Sequence, residues 1–450
     1  MSRLRSTRTE WGGENAGSTP APISAAKRLR SILGGSAGNL VEWFDWYAYS
    51  AFALYFAPVF FPKADSTAQL LNTAAIFAVG FVMRPIGGWL MGTYADRQGR
   101  KAGLTLSVVL MCAGALMIAL CPPFARIGAL APALLVVARM LQGISLGGEY
   151  GASAVYLSEM AGERHRGFWS SFQYVTLISG QLVSLGLLLV LQLWLTKEQM
   201  AAWGWRIPFA IGALLALAVW RIRRGLAETE SFHVAEAKGV ARGSVADLFG
   251  THRRETALVL ALTAGGTVAF YAYSIYMQKF LANTAGFSKE TASTIMALAL
   301  LAYTCLQPLA GALSDNVGRK PLMAGFGLFG VALTVPVFTA LEHVRSPAAA
   351  FGLVMILLTL LTGYTAINAI VKAELFPPEV RATGVALPYA ISNAIFGGTA
   401  EYVALWFKQA GNERGFYWYV TGLILVSLIV YLRMRDTKRT SRIAAEPSPP

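Results

Sequence analysis

Five ionisable residues stand inside long apolar runs of this sequence: Glu42, Asp45, Arg84, Arg139 and Glu149. Charge at membrane depth is costly, so residues of this kind default to proton transfer or to holding a charged ligand. At about 1.5 Å per residue, Asp45 lies about 20 Å from the cytoplasmic end of its run, near 32, and Arg139 about 16 Å from the outer end of its own, near 128. In a hydrocarbon core about 30 Å thick those depths are comparable, so the two are expected to pair. Glu42 and Glu149 fall nearer the inner side. Arg84 precedes Pro85 and the pair Gly87-Gly88, which loosen its helix. Three carboxylates against two arginines leave one net negative charge, which repels an anion until one carboxylate is protonated. All four histidines (His165, His233, His252 and His343) lie between the runs, so a carboxylate has to carry the proton. The competing reading is a structural ion-pair network.

The second half of the chain offers Lys279 and Lys372, one cation near each end of its run, as further ligands for a dicarboxylate. Lysines at helix ends also snorkel, which is the plainer reading of both. Gln173, Tyr174 and Gln181 add uncharged donors along the fifth run, suited to a cavity wall or to interhelical hydrogen bonds.

Twelve apolar runs have to position these groups: about 32–61, 69–94, 102–122, 128–158, 167–195, 206–222, 255–282, 289–313, 321–341, 348–373, 383–408 and 415–434. Only 14% of the chain is charged and 55% is hydrophobic, against roughly 25% charged in a soluble domain. A soluble enzyme is therefore excluded. The net charge of +14 is confined to the termini, to 221–254 and to two short loops, while the alternate loops are nearly neutral. That placement speaks against nucleic acid and puts both termini in the cytoplasm. The sequence predicts an all-α membrane protein of two six-helix halves, 32–222 and 255–434. A tail at 1–31, a central loop at 223–254 and a tail at 435–450 complete it. Three cysteines without ligand spacing indicate neither a disulfide framework nor a metal site. The expected partners are a small organic anion, protons as the coupling ion, and the bilayer, with the chain acting as a monomer.

The halves repeat. Gly92-Thr-Tyr-Ala-Asp96-Arg97-Gln-Gly99-Arg100-Lys101 returns as Gly311-Ala-Leu-Ser-Asp315-Asn316-Val-Gly318-Arg319-Lys320, and the pair Glu159/Arg166 returns as Glu374/Arg381. The offsets are 219 and 215 residues, so a six-span unit is duplicated in parallel.

The repeated loop resembles the signature between the second and third spans of the major facilitator superfamily. Arg139-Met-Leu-Gln-Gly143-Ile-Ser-Leu-Gly147 resembles that superfamily's fourth-span motif. Gly38-Asn-Leu-Val-Glu-Trp-Phe-Asp-Trp-Tyr, Met83-Arg-Pro-Ile-Gly-Gly-Trp and Trp203-Gly-Trp-Arg-Ile-Pro-Phe resemble its metabolite:proton symporter family. Ser171-Phe-Gln-Tyr-Val-Thr-Leu, Tyr276-Met-Gln-Lys-Phe and the stretch from Asn393 to Leu405 point to a dicarboxylate-carrying subgroup. The likeness covers roughly 31–435 and implies the major facilitator fold and import of α-ketoglutarate, or a close dicarboxylate, with protons. Carriers of citrate, shikimate or a zwitterionic osmolyte are the alternatives, and a non-transporting membrane sensor is the remaining one. Carried over by motif position, Asp96 and Arg100 brace the inner gate against the helix start after Arg381, and Asp315 and Arg319 mirror them. Asn316 stands where the family has a basic residue, and Pro388 is unusual in the eleventh span.

Overall fold

Periodic apolar runs broken by Gly, Pro and charged loops fold here into twelve helical rods among the described residues. In this computed structural model those residues are 25–98, 100–147, 154, 158, 163–224 and 245–443. The rods of the first half are α1 (Ala25–Phe60), α2 (Ser66–Gln98), α3 (Arg100–Leu120), α4 (Leu130–Leu146), α5 (Arg166–Trp194) and α6 (Ile207–Arg224). Those of the second are α7 (Arg253–Asn283), α8 (Lys289–Val317), α9 (Arg319–His343), α10 (Pro347–Leu375), α11 and α12 (Glu413–Arg433). α11 runs through Pro378–Ser392, a π-helical turn Asn393–Gly397 and Ala400–Gln409. α7 holds a second π-helical stretch, Tyr271–Tyr276. α1 begins at Ala25, so helix reaches into the segment expected to be a tail.

Seven of the described helices (α2, α5, α7, α8, α9, α10 and α12) are long and apolar enough to cross a membrane. Shorter apolar stretches, Thr105–Leu120, Leu130–Leu146 and Gly204–Ala218, are described in α3, α4 and α6; α1 carries Glu42 and Asp45, and α11 is interrupted by its π-helical turn. Burial is inverted relative to a soluble protein. Leu193, Leu214, Leu309 and Leu328 face outward, while Asp45, Arg139, Lys279 and Lys372 are buried. Charge inside and leucine outside is what a lipid surround selects.

The packing repeats with the sequence. α2 lies on α4 as α8 lies on α10, and α3 on α6 as α9 on α12; across the halves, α5 meets α8 and α2 meets α11. Small residues allow the close approaches. A Cβ on Gly143 would fall 2.1 Å from the Gly80 carbonyl, and one on Gly147 would fall 2.2 Å from that of Arg84. These contacts fix α2 against α4, and with them the two arginines that the helices carry.

Candidate functional site

Asp45 is buried on α1, and Gln142 on α4 donates to its Oδ2 at 2.5 Å. The other end of that amide accepts from Arg139 Nη1 at 2.7 Å. Asp45 and Arg139 therefore do not meet in an ion pair as their depths suggested: Gln142 stands between them and reports the charge of one to the other. Gln142 sits three residues after Arg139, on the same helix face, and that spacing is the signal the sequence reading passed over. Asp45 Oδ1 has no hydrogen-bond partner and faces α6, where a Cβ on Gly212 would lie 2.6 Å away. Glu42 is buried one turn earlier. Glu149 lies outside the described residues, as do the side chains of Asp96 and Arg100.

Trp46 holds two guanidiniums. Arg139 Cζ is 3.9 Å from its ring and Arg84 Cζ is 4.1 Å from it. Tyr49 and Phe77 add to the seat of Arg139, and Phe81 and Trp43 to that of Arg84. Aromatic faces stabilise cations without neutralising them. Nε and Nη2 of Arg84 have no hydrogen-bond partner among the described residues, so those two donors remain available. The hydroxyls nearest to it electrostatically are those of Tyr271 on α7, Tyr389 on α11 and Tyr47 on α1.

Tyr389 also meets the second cation. Lys372 Nζ lies 3.7 Å from its ring, fully buried on α10. Lys372 of the second half thus lies against a tyrosine that is also within electrostatic reach of Arg84 of the first. Asn393, at the π-helical turn of α11, is buried with both amide atoms unpartnered. π-helical turns of this kind recur at functional sites. Gln173 and Tyr174 are buried on α5, and Tyr174 accepts from Asn368 of α10 at 3.1 Å. Tyr271, Tyr389 and Asn393 escaped the sequence reading because no spacing ties them to Arg84.

The halves close on each other around these groups. Among the described residues, one small cavity of about 10 Å³ between the halves is lined by Tyr47, Ser50, Gln181, Ser274 and Gln278 and has room for roughly one water. A larger recess, between Ile295 and Phe351, opens on the outside of the bundle away from the charges.

At the end carrying the repeated loops, Asp315 accepts from the backbone N–H groups of Gly167 and Phe168 at 2.7 and 2.9 Å. These are the first turns of α5, where a helix N-terminus favours a carboxylate. Arg319 donates to Asp315 at 2.9 Å and lies 3.7 Å from Glu374. Arg381 donates to the carbonyls of Phe376 and Arg442. The chain past α12 is part of this end: Thr437 donates to Glu374 at 2.5 Å, and Arg442 Nη2 to Glu255 at 3.1 Å. At the opposite end Lys279 forms an ion pair with Glu401 at 2.6 Å, and so is not open to a ligand in this conformation.

The pattern of the sugar (and other) transporter family matches residues 32–242 and 223–446. The chain belongs to that family. It is 51% identical over 417 residues to the alpha-ketoglutarate permease of Escherichia coli (strain K12), covering 93% of this chain and 96% of that protein. It is 32% identical to a citrate-proton symporter of Salmonella typhi over 95% of this chain and 98% of that one. Among solved structures, a D-xylose-proton symporter superposes with a TM-score of 0.69 at 18% identity, covering 92% of this chain and 99% of that chain. The xylose transporter from E. coli in a partially occluded inward open conformation gives 0.67 at 19% identity, over 90% and 98%. The fold is that of the major facilitator superfamily, and the protein is a membrane transporter rather than an enzyme.

Proposed function

We propose that the protein imports α-ketoglutarate, or a close dicarboxylate, together with protons across the inner (plasma) membrane. The relative at 51% identity bears that substrate in its name. The observation that carries the reading to this chain is a buried cation from each half near Tyr389: Lys372 against its ring and Arg84, on Trp46, within electrostatic reach of its hydroxyl. A dicarboxylate offers each half one carboxylate, so binding draws the halves together. Alternating access then moves the site between the two faces.

Asp45 is the leading proton carrier, with Glu42 and Glu149 as further carboxylates. Protonating Asp45 removes the charge that Gln142 holds and frees that amide to turn, which re-aims Arg139. Gln173 and Tyr174 supply uncharged contacts to the anion. Asp315, Arg319 and Arg381 brace the inner gate, with Asp96 and Arg100 as the mirrored pair. Both termini and the loop 223–254 are assigned to the cytoplasm, the halves to 32–222 and 255–434, and the working unit to a monomer.

The test is uptake of radiolabelled α-ketoglutarate by proteoliposomes under an imposed inward proton gradient. Concentrative uptake abolished by a protonophore is expected. Equilibration indifferent to the gradient overturns the proton coupling, and uptake of citrate or betaine instead overturns the substrate. In the same assay Arg84→Gln removes charged hydrogen bonds worth about 1.5–3 kcal/mol. It should raise the half-saturating concentration about tenfold or more while the protein still folds. Unchanged kinetics would remove Arg84 from the site.

A further inference from the structure

Lys279, Glu401 and Ser50 form a closed ring at the end of the bundle away from the repeated loops. Lys279 Nζ on α7 donates to Glu401 Oε1 on α11 at 2.6 Å and to Ser50 Oγ on α1 at 2.7 Å. Ser50 completes the ring by donating to Glu401 Oε2 at 3.2 Å. All three are buried. Two of the helices belong to the second half and one to the first, so the ring ties the halves together. Neighbouring contacts follow the same rule. Gln278 donates to the carbonyl of Ala51, and Lys289 to that of Leu54 at 2.7 Å. Successive turns of α1 thus take donors from the other half, and in only one of these contacts is the donor's charge balanced by a buried carboxylate.

The ring as drawn is neutral. Neutralising one partner of a buried ion pair leaves the other charge uncompensated, and water or a counter-ion has to reach it. For Lys279 that means opening this end. The ionisable groups facing Glu401 are few. Tyr276 on α7 and Tyr49 on α1 lie within electrostatic reach. Lys408 on α11 and Glu413 on α12 pair with each other further out. Just before α2, Asp65 accepts from Gln409 at the rim, and on α2 Arg84 lies deeper on Trp46.

We propose that Glu401 is a proton-binding site of the transport cycle, distinct from Asp45, and that it sets the outer gate. This rests on the proton-coupled import argued above. A proton from the outer solution adds to the Glu401 carboxylate, and the ring passes from neutral to one positive charge. Lys279 lets go of Glu401 and Ser50, the outer end opens, and one carboxylate of the entering anion takes the vacated place on Lys279. No covalent bond other than O–H changes. When the anion has moved on and the outer end has closed, Lys279 returns to Glu401 and the proton leaves on the inner side. Proton and anion are thereby admitted together.

The measurement is the number of protons moved per substrate, from reversal potentials in proteoliposomes of the full chain. Glu401→Gln should lower that number by one. External acid should increase labelling of an A51C variant by an impermeant thiol reagent, with K63C as the reference for thiol reactivity. In the Glu401→Gln background A51C should label strongly at every pH. An unchanged proton number with an unchanged labelling profile overturns the proposal. Should Glu401→Gln fail to fold around a lone lysine, K279Q/E401Q buries no charge, and labelling of A51C in that background should lose its dependence on external pH; a retained dependence there overturns the proposal equally. Failure of the unmutated protein to take up α-ketoglutarate would strike the substrate reading, while the labelling profile would still decide the gate.

Discussion

Asp315 and Glu401 each bring a carboxylate to the seam between the halves, and they use it differently. At the end carrying the repeated loops, assigned to the inner face, Asp315 receives backbone N–H groups of α5 directly, and the seam is backbone on backbone: a Cβ on Gly311 would fall 2.5 Å from the Gly167 carbonyl. At the opposite end, assigned to the outer face, Glu401 accepts a hydrogen bond from Ser50 of the other half, and its main partner Lys279 lies in its own half. Backbone donors cannot lose their protons or change sign, whereas an ammonium and a carboxylate can be parted by one proton. The inner closure is therefore set by shape and helix polarity. The outer one is set by charge, as expected where the cargo itself is charged.

The comparison breaks most visibly at Gly311. Gly311→Val places branched carbon where only hydrogen fits, and neither backbone can yield without moving a helix. Overpacking costs of up to about 3 kcal/mol correspond to roughly a hundredfold loss of the closed inner end. Transport should fall accordingly, and thiols placed at the inner end should become permanently accessible. Ordinary transport by this variant would mean that the α5–α8 seam does not have to close.

Asp315→Asn tests the charge rather than the shape. The amide keeps an acceptor for one of the two N–H groups and loses the charge that also holds Arg319. Charged hydrogen bonds are worth about 1.5–3 kcal/mol, so a shift of about tenfold toward the inner-open form is expected. Inner-end thiol labelling reads it. A shift as large as that of Gly311→Val would make the inner end as electrostatic as the outer one.

The duplicated loop pair, the apolar runs and the buried Asp45, Arg84 and Arg139 are legible because each is a local pattern or a charge where charge is costly. Gln142 was within reach, one helical turn from Arg139. The placing of Lys372 and Arg84 about Tyr389 was not, because tyrosines are common in such helices and the three residues sit on different rods. The ring of Ser50, Lys279 and Glu401 was hidden for the same reason. Lys279 reads alone as a helix-end lysine, and only folding joins it to residues 229 and 122 positions away. The chain after α12 reads as a basic tail, yet Thr437 is buried against Glu374.

The smallest effect belongs to Asn316, the departure from the loop pattern beside Asp315. Its amide donates to the Ala312 carbonyl of its own helix at 3.3 Å from an exposed position, and among the described residues it makes no hydrogen bond to the other half. Asn316→Ala should therefore change stability by no more than about 0.5 kcal/mol and leave uptake unaltered. Thermal unfolding and initial uptake rates check both. The residue fills the place that Arg97 holds in the first loop, so the test asks what the missing positive charge means. A neutral outcome leaves Asp315 and Arg319 sufficient to close their loop on α5. An effect as large as that of Asp315→Asn would instead make the loop's own fold, rather than the carboxylate it presents, the device that shuts the inner end.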